Sequence, residues 1–435
     1  MPTDLRCREL PAWVDPAELY LSGAGRSPRS FWLDAGPDAQ TGWSWVGTGE
    51  PASSAPREAR CVAEEPAGNG GAFRGGWIGW LDYDDAASAA GAPAHIQNAT
   101  SDPAPGEHGL HVDRFVALDH ASRRAWAWAP GDEIDRFVAE VSTWRGTTFA
   151  PTGAPVTRTA RSRHTPDEYA ALIARCREAI AAGDAYQLCL TTRFEIDDAA
   201  DPLSTYLRLR TLTPTHHGAL IRIGTEALAS ASPERFLEIR DGRVTTRPIK
   251  GTRPRSTDRL RDAELAAELR GSVKEQAENV MIVDLMRNDL QRVSVPGSVT
   301  VDALLDVESY AAVHQLVSTV SGTLSPATRL GDVLTAAFPA GSMTGAPKLS
   351  AMTILHELEG GPRGAFAGCF GWMDADGRAD LAMTIRSISF DGERATVGAG
   401  GGITWRSDPA EEVAEVGIKA RGSLAALGAD LPPGW

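Results

Sequence analysis

Apolar positions along the chain repeat with a period of two in some stretches and with helical spacing in others. Ser30-Phe-Trp-Leu-Asp34 and Ala125-Trp-Ala-Trp-Ala129 read as strands whose aromatic rings suit a pleated surface. Gly75-Gly-Trp-Ile-Gly-Trp-Leu-Asp-Tyr83 reads as a glycine-punctuated strand where backbones approach closely. Helical spacing then takes over at Tyr169, Leu172, Ile173, Cys176 and Ile180. Thr165 caps that helix, Pro166 fits its first position, Glu168 completes a capping box and Gly183 ends it. Tyr186–Ile196 follows as a long predicted strand. Residues 218–250 predict an antiparallel meander that turns at Gly224-Thr225 and Asp241-Gly242. Residues 258–290 predict a helix, Val313–Thr319 a strand, and a further apolar helix ends near Glu359. Residues 365–405 predict a second meander with turns at Asp376-Gly377 and Asp391-Gly392. Asp408 caps a last helix, with Pro409 at its first position and Glu411 completing the box.

Composition narrows the function more than the fold. The chain has 435 residues, 42% of them hydrophobic, enough for two or three ordinary domains or one large two-lobed one. A formal net charge of -14 argues against a general nucleic-acid binder, which needs a broad basic surface. It leaves room for a small anion held in a local basic pocket. The five cysteines are odd in number, widely spaced and without a C-x-x-C, so they suggest neither a disulfide framework nor a zinc site. The N-terminal residues lack the apolar core of a signal peptide, and no apolar run is long enough to span a membrane. A cytoplasmic protein without a membrane or nucleic-acid partner is expected. Residues 1–145 are tryptophan-rich, and packing between sheets is the expected role of those rings. Within them, residues 84–107 read as a mobile loop. Residues 146–163 have no periodicity and read as a linker, which leaves 164–428 as the second domain.

The chemistry concentrates in that second domain. Lys250 lies in Arg247-Pro-Ile-Lys-Gly-Thr-Arg-Pro-Arg255. Arg253 and Arg255 beside it are expected to lower its pKa and make it a nucleophile or base. A basic surface loop would carry the same residues. Counting back from the Asp241-Gly242 turn pairs Arg240 with Arg243 and sets Glu234 opposite Ile249. A bulge at Pro248 or Gly251 would bring Glu234 and Lys250 onto one face, as an acid–base arrangement or as an ion pair. Glu278 leads into an apolar helix and needs a partner, of which a cation is one candidate. His314 is a lone strand histidine, a residue that is usually just hydrogen-bonded in the core. Gly341-Ser-Met-Thr-Gly-Ala-Pro-Lys348 is a glycine-containing turn into a helix N-terminus and suits an anion, without Walker spacing. Counting from Asp391-Gly392 puts Arg386 opposite Val397, beside Gly398-Ala-Gly-Gly-Gly402; such amides next to an arginine suit a carboxylate. Glu412, Glu415 and Lys419 share one face of the last helix. With Glu278, the two glutamates would offer hard oxygen ligands to magnesium; a solvated acidic face is the alternative. Gly368-Cys-Phe-Gly371 reads as a packed strand, so no built-in glutamine-hydrolysing domain is expected.

Together these blocks resemble the chorismate-utilising enzymes: anthranilate, aminodeoxychorismate, isochorismate and salicylate synthases. The likeness covers residues 160–425 and rests on Ser232-Pro-Glu-Arg-Phe236, the Lys250 block, Ala277–Leu290, His314–Leu324, Gly341–Lys348, Thr384–Ser387 and Gly398–Pro409, all in family order. N-terminally it rests mainly on the Gly75–Asp84 stretch. The resemblance implies an α/β fold of the α+β type, two large antiparallel sheets packed as a sandwich with helices outside, and magnesium-bound chorismate in the cleft. It implies Glu278, Glu412 and Glu415 as the Mg2+ ligands. Arg386, Lys419 and the loop of Gly398, Ala399 and Gly400 would hold the substrate carboxylates. Gly345 and Ala346 would line the pocket, with Thr344 and His314 near the ring. Glu234 would be the general acid for the leaving C4 hydroxyl.

Lys250 stands where anthranilate synthases usually carry alanine, and so resembles the aminodeoxychorismate synthase branch. There the lysine attacks C2 and ammonia then adds at C4, on the route to p-aminobenzoate and folate. The ammonia would come from a separate glutamine amidotransferase subunit. Asn279 departs from the common histidine, and Gly417 and Ile418 from common polar residues. The tryptophan-feedback motif of anthranilate synthases is not matched by Leu19-Tyr-Leu-Ser22. An anthranilate or isochorismate synthase, or a non-catalytic chorismate-binding homologue, are the competing expectations.

Overall fold

Thirteen residues, Glu107–Asp119, form the strand at which the sheet divides. One edge of this strand pairs with Trp43–Ala52. The other edge pairs first with Gly76–Leu81 and then with Arg124–Pro130. One arm runs from Trp43–Ala52 through Arg29–Asp34, His217–Ile223, Glu226–Ser232, Ser387–Asp391 and Arg394–Ile403 to Gln187–Ile196. The other runs from Gly76–Leu81 through Cys369–Met373, Ala379–Met383, Arg235–Arg240 and Arg243–Thr246 to Val313–Thr323. Ile249–Pro254 and Thr300–Ser309 also pair with Val313–Thr323. The two expected sheets are thus the arms of one continuous antiparallel ladder of a mixed α/β protein. The computed structural model describes residues 5–61, 70–93, 95, 106–147, 158–310 and 313–435.

Packing follows from the alternation. Phe31, Trp45, Phe115, Trp126 and Trp372 meet between the arms, so the tryptophans there are core, as expected. Helices cover the outer faces. Pro166–Ala182, Pro202–Leu212, Lys348–Glu359 and Pro409–Leu427 pack on the first arm through Tyr169, Tyr206, Leu355 and Leu424. Val273–Gln291 and Leu330–Ala337 pack on the second through Ile282 and Val333. Burying each such aliphatic side chain contributes about 1.5–3 kcal/mol. Arg29–Asp34 and Trp43–Ala52 stand in the first arm and Gly76–Leu81 in the second, so strands from early in the chain enter both.

Local signals were realised where they are self-contained. The Thr165 capping box forms, with Glu168 reaching back to the Thr165 backbone. At the last helix the Asp408 carboxylate accepts from the amides of Ala410 and Glu411. Other expectations shift. Residues 258–290 break at Ser272, which ends Arg259–Gly271 and caps Val273–Gln291. Tyr83–Ala89 is a helix at the start of the expected loop, because Tyr83 and Ala87 find a core to bury in; residues 94 and 96–105 of that loop lie outside the described residues. Of the expected linker, Arg158–Thr159 and Arg161–Ser162 are short strands, and 148–157 lie outside the described residues. The hairpin at Asp241-Gly242 has the expected register, Arg240 opposite Arg243. At Asp391-Gly392 the register is displaced by two: Asp391 pairs with Arg394, so the turn is made by Gly392 and Glu393.

Six elements carry the site. They are β1 (Gln187–Ile196), β2 (Ile249–Pro254), α1 (Val273–Gln291), β3 (Val313–Thr323), β4 (Arg394–Ile403) and α2 (Pro409–Leu427). β1 and β4 pair over nine residues, from Leu188 opposite Ile403 to Ile196 opposite Ala395.

The buried Asp34 ties the first arm to the helix Pro202–Leu212. Its carboxylate accepts from Tyr206 Oη at 2.9 Å and Arg210 Nε at 2.5 Å. Asp34→Ala strands the Arg210 charge and is expected to cost about 3–5 kcal/mol. Urea unfolding followed by tryptophan fluorescence measures this; a loss below about 1 kcal/mol would mean a solvated, dispensable pair.

Candidate active site

Lys250 is the second residue of β2, opposite Leu316 of β3. The register slips between Lys250 and Thr252, because Gly251 bulges with φ +77°. A Cβ on Gly251 would meet Leu269 at 2.7 Å and the Glu275 carboxyl carbon at 2.9 Å. Glycine therefore serves twice here, by adopting the left-handed region and by letting two helices press on the strand. The expected bulge exists and lies at Gly251.

The expected electrostatics of Lys250 are overturned. Arg253 pairs with Glu268 at 3.0 Å and Glu275 at 3.8 Å, and Arg255 pairs with Asp262 at 2.9 Å. Both cations are neutralised locally by α1 and the helix before it. Lys250 Nζ instead lies 4.0 Å from Glu278 Oε2. Burial pushes the amine towards neutrality, but Glu278, Cys189, Glu234 and Glu415 outweigh it and hold the pKa above the ordinary lysine value.

Glu234 lies between the strands Glu226–Ser232 and Arg235–Arg240 and is buried. It does not reach Lys250 through a shared ladder, since β2 pairs with β3 and not with Arg235–Arg240. The expected neighbourhood holds by another route: Lys250 and the Ile249 backbone both favour the ionised Glu234 carboxylate. Ser342 Oγ donates to Glu234 Oε1 at 3.3 Å. Burial pushes the Glu234 pKa up to about 7, against the pull of Lys250.

α1 and α2 bring in the three remaining acids, and each faces a lysine. Glu278 faces Lys250 at 4.0 Å, Glu412 faces Lys274 at 3.9 Å, and Glu415 faces Lys419 at 2.6 Å. Burial raises the pKa of Glu278 and of Glu412. Burial also opposes ionisation of Glu415, but Lys419 outweighs it and the pKa falls. Among the described residues, no three His, Cys, Asp or Glu side chains converge closely enough to hold a metal as they stand. The acids nevertheless share one field, because the single ammonium of Lys274 is attracted to Glu412, Glu278 and Glu415 alike. Carboxylate oxygens are the hard donors that magnesium takes. Asn279 is fully buried, accepting from Ser318 Oγ at 2.6 Å and donating to the Leu316 carbonyl at 3.4 Å. It thereby pins α1 to the strand that carries Lys250's partner.

The residues expected to hold carboxylates also meet. Lys419 Nζ donates to the Gly400 carbonyl at 2.9 Å, and Arg386 Nη1 to the Lys419 carbonyl at 3.1 Å. Arg386 adopts φ +53° beyond the end of the hairpin ladder, so it reaches the glycine run through α2 and not by pairing with Val397. The glycines fit close neighbours: a Cβ on Gly398 would fall 2.0 Å from the Phe366 ring, and one on Gly400 2.4 Å from the Leu190 carbonyl. Ala399 is buried opposite Thr192. Gly345 and Ala346 pair with Leu188 and Gln187 of β1, and the Thr344 carbonyl accepts from the Cys189 amide at 2.8 Å. His314 Nδ1 shares a hydrogen bond with Ser309 Oγ at 2.8 Å, and its Nε2 one at 3.0 Å with Asp262, the carboxylate that also pairs with Arg255.

Sequence reasoning missed several contributors. Ser342 lies inside a recognised block but carries no signal of its own. Cys189 and Lys274 lie in a strand and at a helix start with nothing to mark them. Arg363 is buried with Glu359 at 2.8 Å and donates to the Met343 carbonyl at 2.7 Å and the Cys189 carbonyl at 2.9 Å, fastening the pocket loop to β1. A roomier cavity of about 1310 Å³ lies between the arms, bordered by Trp43, Trp45, Trp126, Trp372 and Arg247. Lys250 and its acids are not on its wall.

An antiparallel two-arm sheet with helices outside thus sets a largely buried lysine among carboxylates, beside a glycine-rich strand. The chain belongs to the chorismate binding enzyme family, whose model matches residues 15–425. It is 40% identical over 371 residues to an aminodeoxychorismate synthase of Streptomyces pristinaespiralis, a match covering 82% of this chain and 51% of that one. The chain thus spans about half the length of that relative. It is 41% identical over 274 residues to aminodeoxychorismate synthase component 1 of Salmonella typhimurium, covering 62% of this chain and 60% of that one. The crystal structure of anthranilate synthase component I from Streptococcus pneumoniae superposes with a TM-score of 0.74 at 25% identity, over 97% of this chain and 92% of that one. Among the described residues, no helix is long and apolar enough to cross a membrane.

Gly251→Ala tests the bulge. The substitution forces a side chain into a left-handed position already crowded by Leu269 and Glu275, and is expected to cost about 1–3 kcal/mol in urea unfolding. A neutral result would show that the bulge can be replaced by regular pairing.

Proposed function

We propose that the chain is the chorismate-aminating component of an aminodeoxychorismate synthase, converting chorismate and ammonia to 4-amino-4-deoxychorismate and water. The observation that carries the reading is the buried amine of Lys250 beside Glu234, a carboxyl whose pKa is pushed up to about 7. Glu234 takes a proton from the Lys250 ammonium. The freed amine forms a bond to C2 of chorismate, the ring double bond shifts, and the C4 hydroxyl departs as water with the proton from Glu234. Ammonia then bonds to C4, the double bond shifts back, and the C2–N bond breaks to release Lys250 as an amine. A proton from solvent resets the pair. Arg386, Lys419 and the amides around Gly398–Gly402 hold the substrate carboxylates. Glu278, Glu412 and Glu415 would hold a magnesium ion, which when bound supplies positive charge to a substrate carboxylate. A separate glutamine amidotransferase subunit would supply the ammonia.

Incubation with chorismate, ammonium and magnesium, followed by mass analysis, tests the reaction; aminodeoxychorismate is expected, and anthranilate or isochorismate would reject it. Lys250→Ala is expected to lower turnover by roughly two to four orders of magnitude, and Lys250→Arg not to restore it, because a guanidinium stays protonated. If Lys250 were only a clamp for the substrate, the arginine variant would keep most activity and the alanine variant would mainly raise KM.

The Lys250–Glu234 pair must carry one proton in total, for with two the amine is blocked. The free enzyme's kcat/KM is therefore expected to rise as pH increases through about 7, where Glu234 loses its proton. Glu234→Gln should be roughly a hundredfold slower or more and should lose this limb of the profile. Retention of the limb in Glu234→Gln would assign the titration to another group.

A further inference from the structure

Of the three lysines that face the acids of the site, Lys274 alone has no part in the reaction described above. It stands in the first turn of α1, four residues before Glu278, so the two side chains rise from the same face. From there Lys274 reaches across to α2, with Nζ 3.9 Å from Glu412 Oε1. The two partners differ in their surroundings. The Lys274 side chain is 57% exposed and that of Glu412 is 5% exposed. Parting costs the lysine little, because its ammonium regains water. The buried carboxylate cannot do the same: Ser407 and Lys419 also favour its ionised form, and another cation would replace what Lys274 supplies. The charged groups that act most strongly on Lys274 are acids: Glu412, Glu278, Glu415 and Glu275.

We infer that Lys274 is a displaceable counter-ion of the metal site, neutralising Glu412 while no divalent cation is bound and moving into solvent when one takes the carboxylates. The inference rests on the reading of Glu278, Glu412 and Glu415 as metal ligands. It explains why each of these acids makes its ion-pair contact with a lysine. Without such cations, acids drawn to one site would repel each other and protonate. The same contact makes Lys274 a competitor of the metal, so the site's affinity is lower than its three carboxylates alone would give.

The test is a titration of the substrate-free protein with Mn2+ alone, an ion that shares the oxygen-ligand preference of magnesium, with free Mn2+ read by electron paramagnetic resonance. Wild type, Lys274→Gln and Glu412→Gln are compared. Lys274→Gln removes a mostly exposed side chain and is expected to fold; it should bind Mn2+ roughly three- to tenfold more tightly than wild type. Glu412→Gln should bind it more weakly. If Glu412→Gln weakens binding while Lys274→Gln binds as wild type or less well, the metal site stands and the counter-ion inference is overturned. If wild type binds no Mn2+, or Glu412→Gln binds it unchanged, the metal-site reading fails and the inference fails with it.

Discussion

The positive charge of Lys250 lies where water can do little for it, and the arrangement around it follows from that fact. A buried ammonium persists only beside carboxylates, and buried carboxylates persist only beside cations. Glu278 and Glu234 meet this need for Lys250 and Lys274 for Glu412, while Lys419 pairs with the half-exposed Glu415. The site is therefore an alternating set of opposite charges. Removing any one member leaves a partner uncompensated, which makes the set sensitive to a ligand that brings charges of its own.

Bringing these groups together is the work of the divided sheet. Lys250 belongs to the edge of one arm, while the glycine run and the helix bearing Glu412, Glu415 and Lys419 belong to the other. α1 lies against β2 and β3 through Ile282, Val283 and the Asn279–Ser318 bond, which sets Glu278 beside Lys250. Where the chain must come close to itself it uses glycine, as at Gly251 against two helices and Gly398 against Phe366. Arg386 reaches Lys419 from a left-handed backbone conformation that a non-glycine residue adopts at a cost of about 1–3 kcal/mol. Strain of that kind at a candidate substrate-binding arginine is consistent with a position held for function.

What was legible in the sequence was local or carried by long blocks. The Thr165 box, the Asp241-Gly242 register and the Gly251 bulge depend on residues within a few positions of one another, and all three formed. The Asp391-Gly392 register was misread because Asp-Gly can fill either of two places in a tight turn, and a displacement by two keeps every side chain on its expected face. The lysine electrostatics were misread for a deeper reason. Arg253 and Arg255 are near in sequence, but Glu268, Glu275 and Asp262, which neutralise them, come from helices that no local pattern ties to the strand. Lys274, Cys189 and the Arg363–Glu359 clamp were invisible for the same reason: their meaning lies in partners far along the chain.

The central claim is that Lys250 bonds covalently to the substrate. The most direct measurement is intact-protein mass after rapid acid quench of the protein with chorismate and magnesium, without ammonia, followed by peptide mapping. The account predicts a mass gain equal to chorismate less one water, located on the peptide that contains Lys250 and absent from Lys250→Ala. No adduct under conditions where added ammonium supports turnover, or an adduct on a different residue, would contradict it.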